Sequence, residues 1–140
     1  MKKIISQYAL YAAWIIAIAA MSGSLFFSEV LHLPPCVLCW YQRILMYPLV
    51  LFIPIGILKK NKDLPIYVLP FSVLGILIAT YHYLLQRGII PDSIAPCSEG
   101  VSCTTKLIEF FGFVTIPFLS LIAFVLITIC MVLYRANAKK

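Results

Sequence analysis

Four long apolar runs constrain this chain more than any other feature. They cover about residues 4–27, 40–58, 65–85 and 113–134, each about 19–24 residues long. At about 1.5 Å per residue, a helix of that length crosses a hydrocarbon core of about 30 Å. Lipid offers a backbone no hydrogen-bond partner, so each run is predicted to be a helix that satisfies its own N–H and C=O groups. The chain reads as all-α: an integral membrane four-helix bundle, residues 1–140 forming a single membrane domain. Composition excludes the soluble alternative. With 63% hydrophobic residues, 11% charged and a mean hydropathy of +1.02, there is too little polar surface to cover a soluble domain.

The net charge of +6 is a topology signal rather than a nucleic-acid footprint. Lys2, Lys3, Lys59, Lys60, Lys62, Arg135, Lys139 and Lys140 flank the apolar runs and form no basic face. The positive-inside rule puts both termini and the "KKNKD" loop in the cytoplasm. The loop before Cys36 and the longer one from Arg87 to about Gly112 then lie outside, with Cys36, Cys39, Cys97 and Cys103. A cleaved signal peptide is the rival for the first run, since "AIA" (Ala17 to Ala19) mimics a cleavage site. The apolar run continues past it to Phe27, which favours a retained span. Ala9, Ala13 and Ala17 recur at four-residue steps and suit close helix packing.

The chemistry is expected at the cysteines. Cysteines on an oxidising side form disulfides. Four allow three connectivities, of which nearest-neighbour pairing, Cys36 with Cys39 and Cys97 with Cys103, is one. A ring as tight as "CVLC" removes little chain entropy, so its value is electron exchange rather than folding. Pro34 and Pro35 stop any helix upstream and place Cys36 at the N-terminus of the second span, where free N–H groups and the helix dipole favour a thiolate. Cys39, Arg43 and Tyr47 follow at four-residue steps on one face. An arginine there can snorkel to headgroups. It can also stabilise a thiolate and hold a polar acceptor beside it. A dithiol at the membrane edge suits a lipid-soluble quinone, which needs an apolar slot with polar handles. Arg43, His82 and Gln86 are the candidates, with His82 equally readable as a residue of the Tyr81/Tyr83 interfacial belt.

The second pair lies in "CSEGVSC", followed by "TTKLIEFFGF" (Thr104 to Phe113), whose Leu107, Ile108, Phe110 and Phe111 predict a short interfacial helix in the second extracytoplasmic loop. That helix would hold Cys103 near the surface and leave Cys97 open to a soluble partner. Four cysteines could bind zinc, but zinc sites favour repeated CxxC units, and no metal is expected. Haem attachment needs CxxCH, and Trp40 occupies the histidine position. Cys130 reads as a small buried apolar residue.

"PCVLCWYQR", Pro35 to Arg43, resembles the signature of the disulfide bond formation protein B (DsbB) family, and the order of spans and cysteine pairs is similar along nearly the whole chain. Its small size and short second pair resemble the compact Gram-positive branch often called BdbC. The resemblance implies a thiol:quinone oxidoreductase of the bacterial cell membrane, using menaquinone or ubiquinone. It would reoxidise an extracytoplasmic thioredoxin-like oxidase of the DsbA or BdbD kind, which donates disulfides to secreted proteins. It implies that Cys97 meets the partner, that Cys103 is its pair, that Cys36 and Cys39 oxidise that pair, and that Cys39, Arg43 and His82 lie nearest the quinone. Cys97 and Cys103 are only six positions apart, closer than in many members, so the sequence leaves open whether Cys103 can reach Cys36. A relative of vitamin K epoxide reductase would run the other way, but such proteins place the loop pair before the CxxC. A scaffold with structural disulfides is the non-enzymatic alternative.

Overall fold

A computed structural model describes residues 1–97, 100–106 and 109–138. Its helices are α1 (Lys2–Leu25), α2 (Val37–Leu58), α3 (Leu64–Gln86) and α4 (Ile116–Ala138), all long and apolar enough to cross a membrane. A wider π-helical turn, Phe26–Val30, continues α1. Relative to the apolar runs, α2 begins earlier, so that Cys39 falls in its first turn, and α4 runs on to Ala138. Each helix packs on two others. α2 lies between α1 and α3, and α4 closes the ring against the same two.

Both faces of these helices are apolar, as expected where one faces lipid. Ile15, Leu51, Leu77 and Ile129 point outward, while Leu49, Ile53, Val68, Phe124, Ile127 and Met131 fill the centre. Ala9, Ala13 and Ala17 are all buried, so the stripe of small residues on α1 is the face its neighbours approach. Gly75 does the same for α3: a Cβ there would run into the ring of Phe124, which is fully buried against it.

The predicted interfacial helix in the second loop does not form among the described residues. Glu109–Phe110 (β1) pairs antiparallel with Val114–Thr115 (β2), in register Glu109 with Thr115 and Phe110 with Val114. Phe111 and Gly112 take positive φ, 55° and 79°, which reverses the chain and ends any helix. β-Branched Val114 and Thr115 suit the returning strand. Leu107 and Ile108, half of the expected apolar face, lie outside the described residues. Arg87, just past the end of α3, donates to the Gly112 carbonyl at 3.0 Å and ties the turn to the bundle. A short 3₁₀ turn, Asp92–Ile94, leads into the cysteine loop and is held to α3 by Tyr81, whose hydroxyl donates to the Ile94 carbonyl at 3.2 Å.

Prolines inside α2 and α3 leave carbonyls to satisfy. Pro54 has no N–H for the carbonyl four residues back, that of Val50. The indole Nε1 of Trp14, on α1, donates to that carbonyl at 3.2 Å. The tertiary contact thus replaces the helical one. Trp14→Phe is expected to cost about 0.6–2 kcal/mol of stability through this bond. In a Pro54→Ala background the new N–H can reclaim Val50, and the cost of Trp14→Phe should shrink. Unfolding of the four proteins in detergent measures it, and an equal cost in both backgrounds would refute the pairing.

Candidate active site

All four loop cysteines gather at one end of the bundle, where α2 starts and α3 ends. Pro34 and Pro35 precede Cys36, which has extended backbone (φ −75°, ψ 173°) and caps α2. The next turn brings Cys39 back beside it, with the two Sγ atoms 3.2 Å apart as free thiols. Cys97 and Cys103 are joined as a disulfide, Cys97 half-buried and Cys103 fully buried. The reach that the sequence left open is short. The Sγ atoms of Cys36 and Cys103 and a ring nitrogen of His82 all lie within 4.8 Å of one another. These are metal-ligand types, but a sulfur held in a disulfide offers no thiolate charge, and the trio suits thiol–disulfide exchange.

Cys36 is set up as the thiolate of the pair. The Cys39 thiol beside its sulfur pulls its pKa below the ordinary thiol range, and the His82 imidazole adds to this. Burial opposes them but does not prevail. The N-terminus of α2 favours negative charge at the same place.

His82 lies on α3, buried, with every ring nitrogen engaged. Nδ1 is 3.0 Å from Gln42 Nε2, and Nε2 is 3.2 Å from the Cys103 carbonyl and 3.6 Å from Cys36 Sγ. Gln86, one turn on, donates to the Thr105 carbonyl at 3.4 Å. Its Oε1 is buried with no hydrogen-bond partner among the described residues. His82 and Gln86 share a small cleft with both CxxC cysteines, Ser102 and Thr105.

Arg43 faces the other way. A cavity of about 320 Å³ opens between α1, α2 and α4, and its walls are mostly apolar. Its polar groups come from Ser24, Cys39, Gln42, Arg43, Tyr47 and Ser120. Arg43 Nε donates to Ser24 Oγ and its terminal nitrogen to the Ser24 carbonyl, both at 2.8 Å, while its guanidinium lies 5.4 Å from the centre of the Trp40 ring. The Tyr47 hydroxyl is buried and has no hydrogen-bond partner among the described residues. The three expected handles are therefore divided. Arg43 shares the large cavity with Cys39, whereas His82 and Gln86 stand on the loop side of the cysteines. Cys130 sits far along α4 against the central core.

Two residues of this site escaped sequence reasoning. Gln42, 6% exposed, touches both sides: it lines the cavity and bonds His82. Ser24 holds Arg43. The available signal was a glutamine near the start of an apolar run, three residues after Cys39, since a polar side chain in a span needs a partner.

Known proteins resemble this chain along most of its length. The family described as "Disulfide bond formation protein DsbB" matches residues 6–134. The chain is 51% identical over 128 residues to "Disulfide bond formation protein C" of Bacillus subtilis (strain 168), covering 91% of this chain and 93% of the relative. It is 50% identical over 121 residues to "Probable disulfide formation protein C" of Halalkalibacterium halodurans, covering 86% and 88%. "Probable disulfide formation protein C 2" of Bacillus anthracis is 44% identical over 138 residues, 98% of this chain and 97% of the relative. No solved structure matches. Four membrane-length helices, a CxxC at a helix start and a loop disulfide within reach of it make this chain a multi-pass membrane oxidoreductase of thiols and disulfides, and it belongs to the DsbB family, in the Gram-positive branch of disulfide bond formation protein C.

Proposed function

We propose that this protein is a membrane thiol:quinone oxidoreductase that reoxidises an extracytoplasmic thioredoxin-like oxidase and so sustains disulfide formation in secreted proteins. The observation that carries the reading is the two-sided position of the CxxC. Cys36 faces the loop pair, with Cys103 Sγ within 4.8 Å, and Cys39 lines the apolar cavity. The positive-inside distribution supports cytoplasmic termini and an extracytoplasmic cysteine end.

Electrons then move inward by thiol–disulfide exchange. A thiolate of the partner attacks Cys97, breaking the Cys97–Cys103 bond and leaving the electron pair on Cys103. The partner's second thiol closes the partner's own disulfide and releases Cys97. Cys103 attacks Cys36 of an oxidised Cys36–Cys39 pair, forming Cys36–Cys103 and expelling the Cys39 thiolate. Cys97 then closes on Cys103 and Cys36 leaves with the electron pair. The CxxC is now the dithiol and the loop pair the disulfide.

The cavity fits a quinone head group. Its volume of about 320 Å³ is of small-ligand size and its walls are mostly apolar, with Arg43 and Tyr47 among the residues that line it. When bound, a quinone would accept two electrons and two protons, becoming quinol as the CxxC disulfide re-forms. Arg43 and Tyr47 would hold its oxygens, and Arg43 also places positive charge beside the Cys39 thiolate. His82 and Gln86 serve the exchange side.

Purified protein given a reduced thioredoxin-like oxidase and menaquinone or ubiquinone is expected to reduce the quinone, and Cys39→Ser should abolish this. Full activity in that variant sinks the reading. In a Cys39→Ser/Cys97→Ser protein, mild oxidation is expected to join Cys36 to Cys103, seen as a linked peptide by mass spectrometry. A pH series on the reduced protein tests the thiolate. A thiol of lowered pKa is charged above that value and protonated below it, so Cys36 should be alkylated readily at pH 7, with the rate falling only on acidification. Alkylation that instead rises through the ordinary thiol range, about 8.5, would count against it.

A further inference from the structure

The Gln42–His82 contact joins the two sides of the site, and the Cys103 carbonyl, which can only accept from His82 Nε2, agrees with Gln42 donating through its amide nitrogen. Gln42 Nε2 can only donate, so His82 Nδ1 is the acceptor at 3.0 Å. A neutral imidazole that accepts at Nδ1 carries its hydrogen on Nε2. That nitrogen faces the Cys103 carbonyl at 3.2 Å and Cys36 Sγ at 3.6 Å. Both residues of the pair are buried, His82 at 1% exposure and Gln42 at 6%, so solvent does not compete for either.

We propose that Gln42 is a positioning residue for disulfide exchange: it holds His82 in the Nε2–H tautomer, which aims an N–H donor at Cys36 where its sulfur leaves as a thiolate. The inference rests on the thiol relay proposed above. The step it serves is the release of Cys36. As Cys97 closes on Cys103, the Cys36–Cys103 bond breaks and the electron pair stays on Cys36. The Nε2–H bond receives that charge and no proton is transferred. With the opposite tautomer, a lone pair would face the new thiolate and repel it. His82 touches the reacting sulfur, whereas Gln42 acts through His82. Among the described residues, the titratable groups facing Cys36 are Cys39 from α2, His82 from α3 and Cys103 from the loop.

The test uses the full-length reduced protein in detergent. Gln42→Leu is expected to move the pH midpoint of Cys36 alkylation up by about one pH unit, as for a thiolate that has lost one charge-assisted hydrogen bond. In a His82→Leu background the same substitution should change nothing further, because the group it acts through is gone. An unchanged midpoint in Gln42→Leu, or an equal shift in both backgrounds, overturns the proposal. Nitrogen NMR of His82 in the wild type decides the matter independently of any variant's folding: neutral His82 should carry its hydrogen on Nε2, and a hydrogen on Nδ1 overturns it. Quinone reduction is scored separately. A protein that never reduces quinone but shows the Gln42 effect loses the function proposed above and keeps this one. A protein that reduces quinone with alkylation indifferent to Gln42 does the reverse.

Discussion

Lipid gives a polar group nothing to bond to, and that constraint organises this molecule. Every polar side chain placed inside the bundle must find a partner on another helix or in its own backbone. Trp14 does so at the Val50 carbonyl, where Pro54 has removed the helical donor. Thr128 reaches back to the Phe124 carbonyl at 2.8 Å and across to Ser72 at 3.0 Å, joining α4 to α3. Arg43 spends two bonds on Ser24, joining α2 to α1. Gln42 and His82 join α2 to α3. Two of these ties, those of Arg43 and of Gln42 with His82, also belong to the site. Apolar packing alone would leave them free to slide, because lipid tails are as apolar as the core.

Against that background, the groups left without a partner among the described residues are informative. They are the hydroxyl of Tyr47, a residue of the cavity wall, the Oε1 of Gln86, a residue of the cleft on the loop side, and the Oγ1 of Thr115 in β2. A buried polar atom with no bond carries a desolvation penalty of about 1–3 kcal/mol. Such a penalty is tolerated where a transient occupant supplies the missing partner.

The spans, the placement of Cys36 at a helix start and the stacking of Arg43 under Cys39 were legible in the sequence, because length, prolines and i, i+4 spacing act within one segment. The division of the polar residues was not. Helices that are apolar on every side give no sign of which face turns inward, so nothing local says that His82 looks toward the loop cysteines while Arg43 looks toward α1. Gln42 went unnoticed for that reason. The stretch before α4 failed differently. Its apolar and charged residues fit a short helix, but Gly112 and the β-branched Val114 and Thr115 favour a turn and a returning strand.

Two sulfurs 3.2 Å apart thus come to have different neighbours. Cys36 precedes the first helical turn and is turned toward α3 and the loop. Cys39 lies three residues on, about 60° short of a full turn, and shares the cavity wall with Arg43. A CxxC placed mid-helix would put both sulfurs on one face, in one environment. Starting the helix at the first cysteine separates them. Cys36 takes the helix-terminal N–H groups and the imidazole, which suit a sulfur that must leave as a thiolate toward the loop. Cys39 takes the arginine and the apolar wall, as the proposed transfer to a lipid-soluble acceptor would need. The double proline at Pro34 and Pro35 therefore sets more than a helix boundary: it sets which neighbours each of the two sulfurs has.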